Sequence, residues 1–309
     1  MAPGTIVGRR YRLTERIARG GMSEVWLAVD AATGEEVIAK TPRGVALQRS
    51  DLRAMFEREA KILSRIASPY VTRFYGYFTE GKQPFIVCER LVGETLAERL
   101  KRSHVLTLAD LAPIVEQVLT GLGDAHAQGV VHRDLSPDNV FLCGKPEVAK
   151  IIDFGIGKPL DESEPLTPQD ATMGSLPFMP PEQWLDPSKV DARADLYAVG
   201  TIIFLALTGT LPFPEKNAMR LLTLKRDFEA PTIAETTRAP YPAEISAFVA
   251  KALARAREAR FYSAADMLKA WREIFQQSDT FDVDAALITL NDEGGDTTAT
   301  MTHTRRPRQ

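Results

Sequence analysis

Between Tyr11 and Glu89, apolar and polar positions alternate in short runs: Tyr11, Leu13 and Ile17, then Val25 to Val29, Val37 to Ala39, and Phe85 to Cys88. Side chains on a strand point to opposite faces in turn, so these runs predict strands. Gly20-Gly21, Thr33-Gly34 and Glu80-Gly81-Lys82 punctuate them as hairpin connections do, which makes the region a small antiparallel sheet. One helix interrupts it, beginning near a cap at Ser50-Asp51 and carrying Leu52, Met55, Phe56, Ile62, Leu63 and Ile66 at helical spacing. Glu59 falls on the same stripe, and a carboxylate on the buried face of a helix needs a cation beside it.

Farther along, the period lengthens. Leu111, Ile114, Val115, Val118, Leu119 and Leu122 mark a long amphipathic helix, and further helices are expected around Asp195 to Thr208, Ile245 to Ala256 and Ala264 to Phe275. Val130-Val131-His132 and Val148 to Ile152 read as short strands between polar loops. The longest greasy stretch, Ala198 to Leu207, is far short of the ~20 residues that a membrane crossing requires and reads as a buried helix. The expected organisation is α+β: an N-terminal extension over 1–10, a sheet lobe over 11–91, a mainly helical lobe over 92–275, and a polar, disordered tail over 276–309.

Composition narrows the classes. The 309 residues are 44% hydrophobic and 26% charged, as in ordinary globular chains, and the net charge of -3 offers no global field for nucleic acid or anionic membrane. Two cysteines, Cys88 and Cys143, cannot build a disulfide framework, and Met1 to Arg10 carries no apolar core of a signal peptide. A cytoplasmic location is therefore expected.

Three segments carry chemistry. The turn Ile17-Ala18-Arg19-Gly20-Gly21-Met22-Ser23-Glu24-Val25 can lay backbone N–H groups over phosphates, although a plain hairpin serves the same pattern. Lys40 ends the next strand, and Lys40 and Glu59 each supply the charge the other lacks. In His132-Arg133-Asp134-Leu135-Ser136-Pro137-Asp138-Asn139 and Asp153-Phe154-Gly155, the side chains of Asp134, Asn139 and Asp153 offer oxygen donors suited to a hydroxyl proton and to hard Mg2+ ions.

The order of glycine-containing turn, Val-Ile-Ala-Lys, helix glutamate, His-Arg-Asp and Asp-Phe-Gly matches the protein-kinase signature set. From about Tyr11 to Phe275 the chain resembles a eukaryotic-like (Hanks-type) serine/threonine protein kinase of the bacterial branch. Pro180-Pro181-Glu182 stands where that family has Ala-Pro-Glu, Asp195 to Gly200 looks like its central helix, and Arg260 sits where an arginine pairs with the glutamate. The resemblance implies a bilobal fold, with a small antiparallel-sheet N-lobe bearing one helix and a larger, mainly helical C-lobe.

It also implies roles. Ile17, Val25, Ala39 and Phe141 would sandwich adenine, the backbone of Glu89 and Leu91 would bond its edge, and Cys88 would be the gatekeeper. Ala18, Arg19, Gly20, Gly21, Met22, Ser23 and Glu24 would form the lid over ATP. Lys40 would hold the α- and β-phosphates, Glu59 would pair with it, and Asn139 and Asp153 would hold Mg2+, with Mn2+ as the alternative ion. Asp134 would take the acceptor proton, and Leu63, Phe74, His132 and Phe154 would stack as an apolar spine. Arg133 would meet a phosphate on Thr167 or Thr172, the latter favoured because it lies nearer the substrate-facing Gly174-Ser175-Leu176-Pro177.

Several positions depart from the family pattern. Ser136 replaces the usual lysine, which offsets charge on the transferring phosphoryl group, and Asp138 is acidic where tyrosine kinases have an arginine nearby. Ala18 and Ser23 replace two glycines of the lid. The implied function is transfer of the ATP γ-phosphoryl group to Ser/Thr hydroxyls of protein substrates, first on the chain's own loop. The alternative that Ser136 motivates is a nucleotide-binding pseudokinase acting as a scaffold or allosteric partner. A small-molecule phosphotransferase fits less well, because Pro180-Pro181-Glu182 and the long loop suit a protein acceptor. Thr297, Thr298, Thr300, Thr302 and Thr304 are expected to be autophosphorylated and to recruit a phosphothreonine-binding partner, an inert linker being the other reading. Neither nucleic acid nor a membrane span is expected.

Overall fold

Alternation is cleanest in β3 (Ser23–Asp30), where Glu24, Trp26, Ala28 and Asp30 are buried while Ser23, Val25, Leu27 and Val29 stay half-exposed. The structure, a computed structural model, describes residues 1–19, 23–42, 56–57, 60–154 and 175–276. Around β3 lie β1 (Ile6–Val7), β2 (Tyr11–Arg19), β4 (Glu36–Pro42), β5 (Phe74–Glu80) and β6 (Gln83–Glu89), in the sheet order β1-β2-β3-β4-β6-β5 with antiparallel neighbours. One face packs a cluster of its own from Val7, Tyr11, Leu13, Trp26, Ala28, Val37, Ala39, Phe85 and Val87. Residues 1–10, expected as an extension, thus supply an edge strand and the fully buried Val7.

The expected helix between β4 and β5 is seen in part. Residues 60–63 are helical, with Phe56, Ala60 and Leu63 buried in the main core, while Ser50, Asp51 and Glu59 lie outside the described residues.

Beyond β6 a second sheet joins β7 (Gly93–Thr95), β8 (Val140–Cys143) and β9 (Val148–Ile151). Gly93 lets β7 approach β8, since a Cβ there would lie 1.9 Å from the Leu142 carbonyl oxygen. The helices are α1 (Leu96–Ser103), α2 (Leu108–Ala127), α3 (Pro181–Leu185), α4 (Arg193–Thr208), α5 (Ala218–Asp227), α6 (Ile233–Thr236), α7 (Ala243–Ala252) and α8 (Ala264–Gln276). A capping box at Thr95 and Glu98 starts α1, and Thr107 caps α2.

The central α4 is apolar on nearly every side and buried accordingly, ending at Gly209 in the left-handed region, φ 72. Gly200 lets α7 cross it, because a Cβ would stand 2.7 Å from that of Ala252. The main core runs from Leu63 through Phe154 and α4 to Trp271. No described helix is long and apolar enough to cross a membrane.

Two expectations change. Val130-Val131-His132 is not a strand, because the N–H groups of His132 and Arg133 are given to the Asp195 carboxylate rather than to a neighbouring chain. The helix expected over Ile245 to Ala256 stops at Ala252, and the carbonyls of Ala254 and Arg255 turn to accept from Arg260 instead. Residues 277–309, including the five threonines expected to be phosphorylated, lie outside the described residues.

Candidate active site

The catalytic-loop candidate is built on one buried anion. Asp195, near the start of α4 and 1% exposed, accepts the His132 N–H at 2.8 Å on Oδ2 and the Arg133 N–H at 2.9 Å on Oδ1. His126 of α2 adds its Nε2 at 2.8 Å. Burial would raise the Asp195 pKa, but the bonds from His126 and from the His132 backbone hold it below the ordinary carboxylate value. These bonds fix Arg133 at φ 64, a conformation rare outside glycine, and the buried Gln183 donates its Nε2 to the Arg133 carbonyl at 2.7 Å.

His132 is fixed at both ring nitrogens. The Asp134 N–H donates to Nδ1 at 3.2 Å, and Nε2 lies 3.1 Å from the Ile152 carbonyl, which assigns the ring proton to Nε2. Its ring packs on Phe154 at 4.7 Å between centroids, which is one contact of the expected spine, while Leu63 and Phe74 belong to the same large core as Phe154.

Asn139 joins this loop to the strand before Asp153. Its Nδ2 donates to the Asp134 carbonyl at 2.8 Å, its N–H to Ser136 O at 3.0 Å, and its own carbonyl accepts the Ile152 N–H at 3.0 Å. That use of Nδ2 leaves Oδ1 as the side chain's acceptor. Asp153 follows at φ 49, with its side chain exposed and its Oδ1 2.9 Å from Lys40 Nζ. The positive charge of Lys40 holds the Asp153 carboxyl below its ordinary value, so it stays ionised at neutral pH. This contact carries the sheet of the first lobe to the loops of the second. Ser136 is buried, and Asp138 is exposed.

Strand register sorts the expected adenine contacts. Val25 lies opposite Lys40, so the two share a face of the sheet. Ala39 lies opposite Trp26 and Val87 and is buried among them on the other face, which corrects its expected place against adenine. Ile38, two residues before Lys40, shares the Lys40 face and stands opposite Cys88. Glu24 is buried on the face away from Val25, with its carboxylate 3.4 Å from Arg19 and 3.5 Å from Arg16.

Ile17, Ala18 and Arg19 are exposed, Ser23 is half-buried, and Leu91 and Phe141 are half-buried beside the hinge strands. The Glu89 side chain is bound at 2.6 Å by Lys150 and at 2.7 Å by the Arg73 N–H, while its own N–H goes to Arg73 O at 2.9 Å. Gly20, Gly21, Met22, Glu59, Thr167 and Thr172 lie outside the described residues.

A second ion pair braces the segment after residue 175. Arg260, its side chain wholly buried, meets Glu182 with both Nη atoms at 2.6 and 2.8 Å, as the resemblance implied. Sequence reasoning missed Ile38, the anchoring carboxylate of Asp195, Gln183 and the buried Lys225. Ile38 left a signal in standing two residues before Lys40 on one strand, and Lys225 in following Leu221 by four residues on the buried stripe of α5.

Against known proteins, residues 11–271 match the protein kinase domain. The chain is 35% identical over 236 residues to the serine/threonine-protein kinase pkn3 of Myxococcus xanthus, covering 74% of this chain and 43% of that protein. It is 30% identical over 274 residues to a probable serine/threonine-protein kinase, PknB of Bifidobacterium longum, covering 85% and 39%. It thus spans about two fifths of the length of these curated relatives. The kinase domain of Mycobacterium tuberculosis PknI superposes with a TM-score of 0.69 at 22% identity, covering 88% of this chain and 99% of that one, a likeness of fold alone. With its signature residues held in one order on one such fold, the chain belongs to the protein kinase family, in its bacterial Hanks-type serine/threonine branch.

Proposed function

We propose that the chain is a working serine/threonine protein kinase that moves the γ-phosphoryl group of ATP to Ser or Thr hydroxyls of proteins, its own activation loop included. The observation that carries this reading is the 2.9 Å contact between Lys40 and Asp153, next to a loop in which Asn139 and Asp134 are tied together at 2.8 Å. A protein that only binds nucleotide has no need to keep all four groups. Phosphoryl transfer asks the protein chiefly for positioning and for charge placed where charge develops.

Lys40 then binds the α- and β-phosphates, beside the Asp153 carboxylate that lies 2.9 Å from its Nζ. Asp153 and the Asn139 Oδ1 are hard oxygen donors that would hold a divalent cation of the Mg2+ type, with Mn2+ as the alternative ion. A metal bound there neutralises charge on the phosphates. Asp134 orients the acceptor hydroxyl and takes its proton, its backbone held still by His132 and Asn139. Adenine lies between Ile17, Val25 and Ile38 on one side and Phe141 on the other, with Cys88 at the back and the Glu89 carbonyl and Leu91 N–H on its edge. Residues 18–24 close over the phosphates through their backbone. Ser136 provides no positive charge to the transferring group, so turnover is slower than a lysine would give, on the order of 10²-fold.

Activation through Thr167 or, preferably, Thr172 against Arg133, and a phosphothreonine-reader docking on the tail, belong to the same reading. So does a reducing, cytoplasmic setting, which Cys88 and Cys143, neither of them in a disulfide, fit. The test is incubation of the purified chain with radiolabelled ATP and Mg2+, alone and with myelin basic protein. Phosphate should appear on both proteins and vanish in Lys40→Met and Asp134→Asn. A chain that ATP stabilises against heat, yet that incorporates nothing with Mg2+ or Mn2+, would be the scaffold instead.

A further inference from the structure

We infer that Lys225 of α5 is a positioning residue for acceptor binding, holding the backbone of residues 176–179 in the form that receives the protein substrate. This rests on the kinase reading above.

A lysine in the last turn of a helix ordinarily sits in water, where it also favours the negative end of the helix dipole. Lys225 does the opposite. It is 3% exposed, and its Nζ lies 2.6 Å from Pro177 O, 2.7 Å from Met179 O and 3.2 Å from Leu176 O. An ammonium has three N–H groups and no more, so these carbonyls use all of its donors and fix their own directions. The same segment makes a tight turn, Phe178 N–H to Ser175 O at 3.0 Å and Met179 N–H to Leu176 O at 3.3 Å. Leu176 and Met179 pack with Trp184, Phe213 and Leu221, so α5 grips the segment by apolar contact as well as by Lys225.

The segment faces the chemistry. Asp134, Ser175, Phe178, Met179 and Gln183 line one small cavity, which places the turn against the catalytic loop. A shift in residues 176–179 therefore alters how an acceptor approaches Asp134 and leaves Lys40 and Asp153 alone.

Lys225 also has an unusual charge setting. Burial pulls its pKa from 10.5 to about 7; the Arg260 guanidinium pushes in the same direction and the Glu182 carboxylate opposes both. The ring of Tyr197 on α4 lies 5.2 Å from Nζ and carries Arg260 at 4.8 Å, and the buried Tyr197 hydroxyl stays neutral because its own pKa is raised. Above neutrality the amine keeps two N–H groups, and one of the three carbonyls loses its donor. Acceptor binding weakens as pH rises through about 7.

Steady-state kinetics with myelin basic protein and MgATP, from about pH 6 to about pH 8.5, read this directly. The parent chain should show an acceptor KM that climbs about tenfold over that range, the worth of roughly one hydrogen bond, while KM for MgATP stays within about twofold. Lys225→Met should hold the high acceptor KM at every pH. Lys225→Arg, whose charge does not titrate, should give a flat profile and serves, with the parent's own profile, if the Met variant fails to fold. An acceptor KM that is flat in the parent, or that moves together with the KM for MgATP, overturns the inference and leaves the kinase reading standing. A parent chain that transfers no phosphate at any pH overturns the kinase reading and this inference with it.

Discussion

Replacing Asp195 by asparagine tests whether one carboxylate holds the catalytic loop. In the native chain its two oxygens accept three donors, His126 Nε2 and His132 N–H at 2.8 Å and Arg133 N–H at 2.9 Å. Asparagine has a single acceptor oxygen. Its better orientation puts that oxygen where Oδ2 was, keeping His126 and His132, and turns its NH2 against the Arg133 N–H. One buried donor then goes unsatisfied, at a cost of about 1–3 kcal/mol, and the two surviving bonds lose their charge assistance, roughly another 1–2 kcal/mol. The sum, about 2–5 kcal/mol, is a large share of the 5–15 kcal/mol typical of a domain. At about 2–4 °C per kcal/mol for a large domain, Tm should fall roughly 4–20 °C.

The rate should fall as well. Arg133 holds φ 64 against a strain of about 1–3 kcal/mol, and the bond that Asp195→Asn removes is one that holds it there. Relaxation at Arg133 moves the next residue, Asp134, and a displacement of about 1 Å costs on the order of 10²-fold in kcat. Thermal denaturation and autophosphorylation rates, measured on the same preparation below its Tm, read both effects. A Tm within about 2 °C of the parent with kcat within about threefold would refute the reasoning. Loss of stability at unchanged rate would keep Asp195 in the fold but remove it from the positioning of Asp134.

Arg260→Met leaves the partly buried Glu182 without its bidentate partner and should cost about 3–5 kcal/mol in urea denaturation, whereas Arg260→Met with Glu182→Leu should recover much of the loss. Ser136→Lys returns a cation to the catalytic loop and should raise kcat by up to about 10²-fold at unchanged KM for MgATP; an unchanged kcat would mean that charge at this position does not limit transfer. Asp30 is held down to about 2 from 3.8 by Arg10, and Glu94 to about 2 from 4.5 by Arg102 and Arg99. Both carboxylates are depressed in the fold, so their contribution is present above about pH 4.5 and is lost as pH falls towards about 2; acid unfolding followed by circular dichroism should be less steep in Asp30→Asn and Glu94→Gln.

Residues that act through neighbours close in sequence are legible in the sequence itself. Asp134, Asn139 and Asp153 lie on two loops joined by the β8–β9 hairpin, and their oxygen chemistry shows in their spacing. What escapes has a partner far along the chain. Val37-Ile38-Ala39 is apolar at every position, although only Val37 and Ala39 are buried and Ile38 is half-exposed, and that run erases the alternation that would set its phase. The register of Ala39 against Trp26 and of Lys40 against Val25 shows that Ala39 faces the inner cluster and Ile38 the side of Val25. Val130-Val131-His132 has the composition of a strand, but the donors that would make it one are taken by Asp195, some 60 residues later. The helix expected over 245–256 ends at Ala252, and the chain beyond it presents the carbonyls of Ala254 and Arg255 to Arg260. Lys225 follows the same logic: its place on the stripe of Leu221 is visible in the pattern, but the carbonyls that let a cation live there belong to residues 176–179. Hydrophobic pattern specifies which face is inward, and long-range satisfaction of buried polar groups decides where loops are fixed. Loop residues of that second kind are the ones that position Asp134, so the part of this site that sequence pattern leaves dark is the part that sets its geometry.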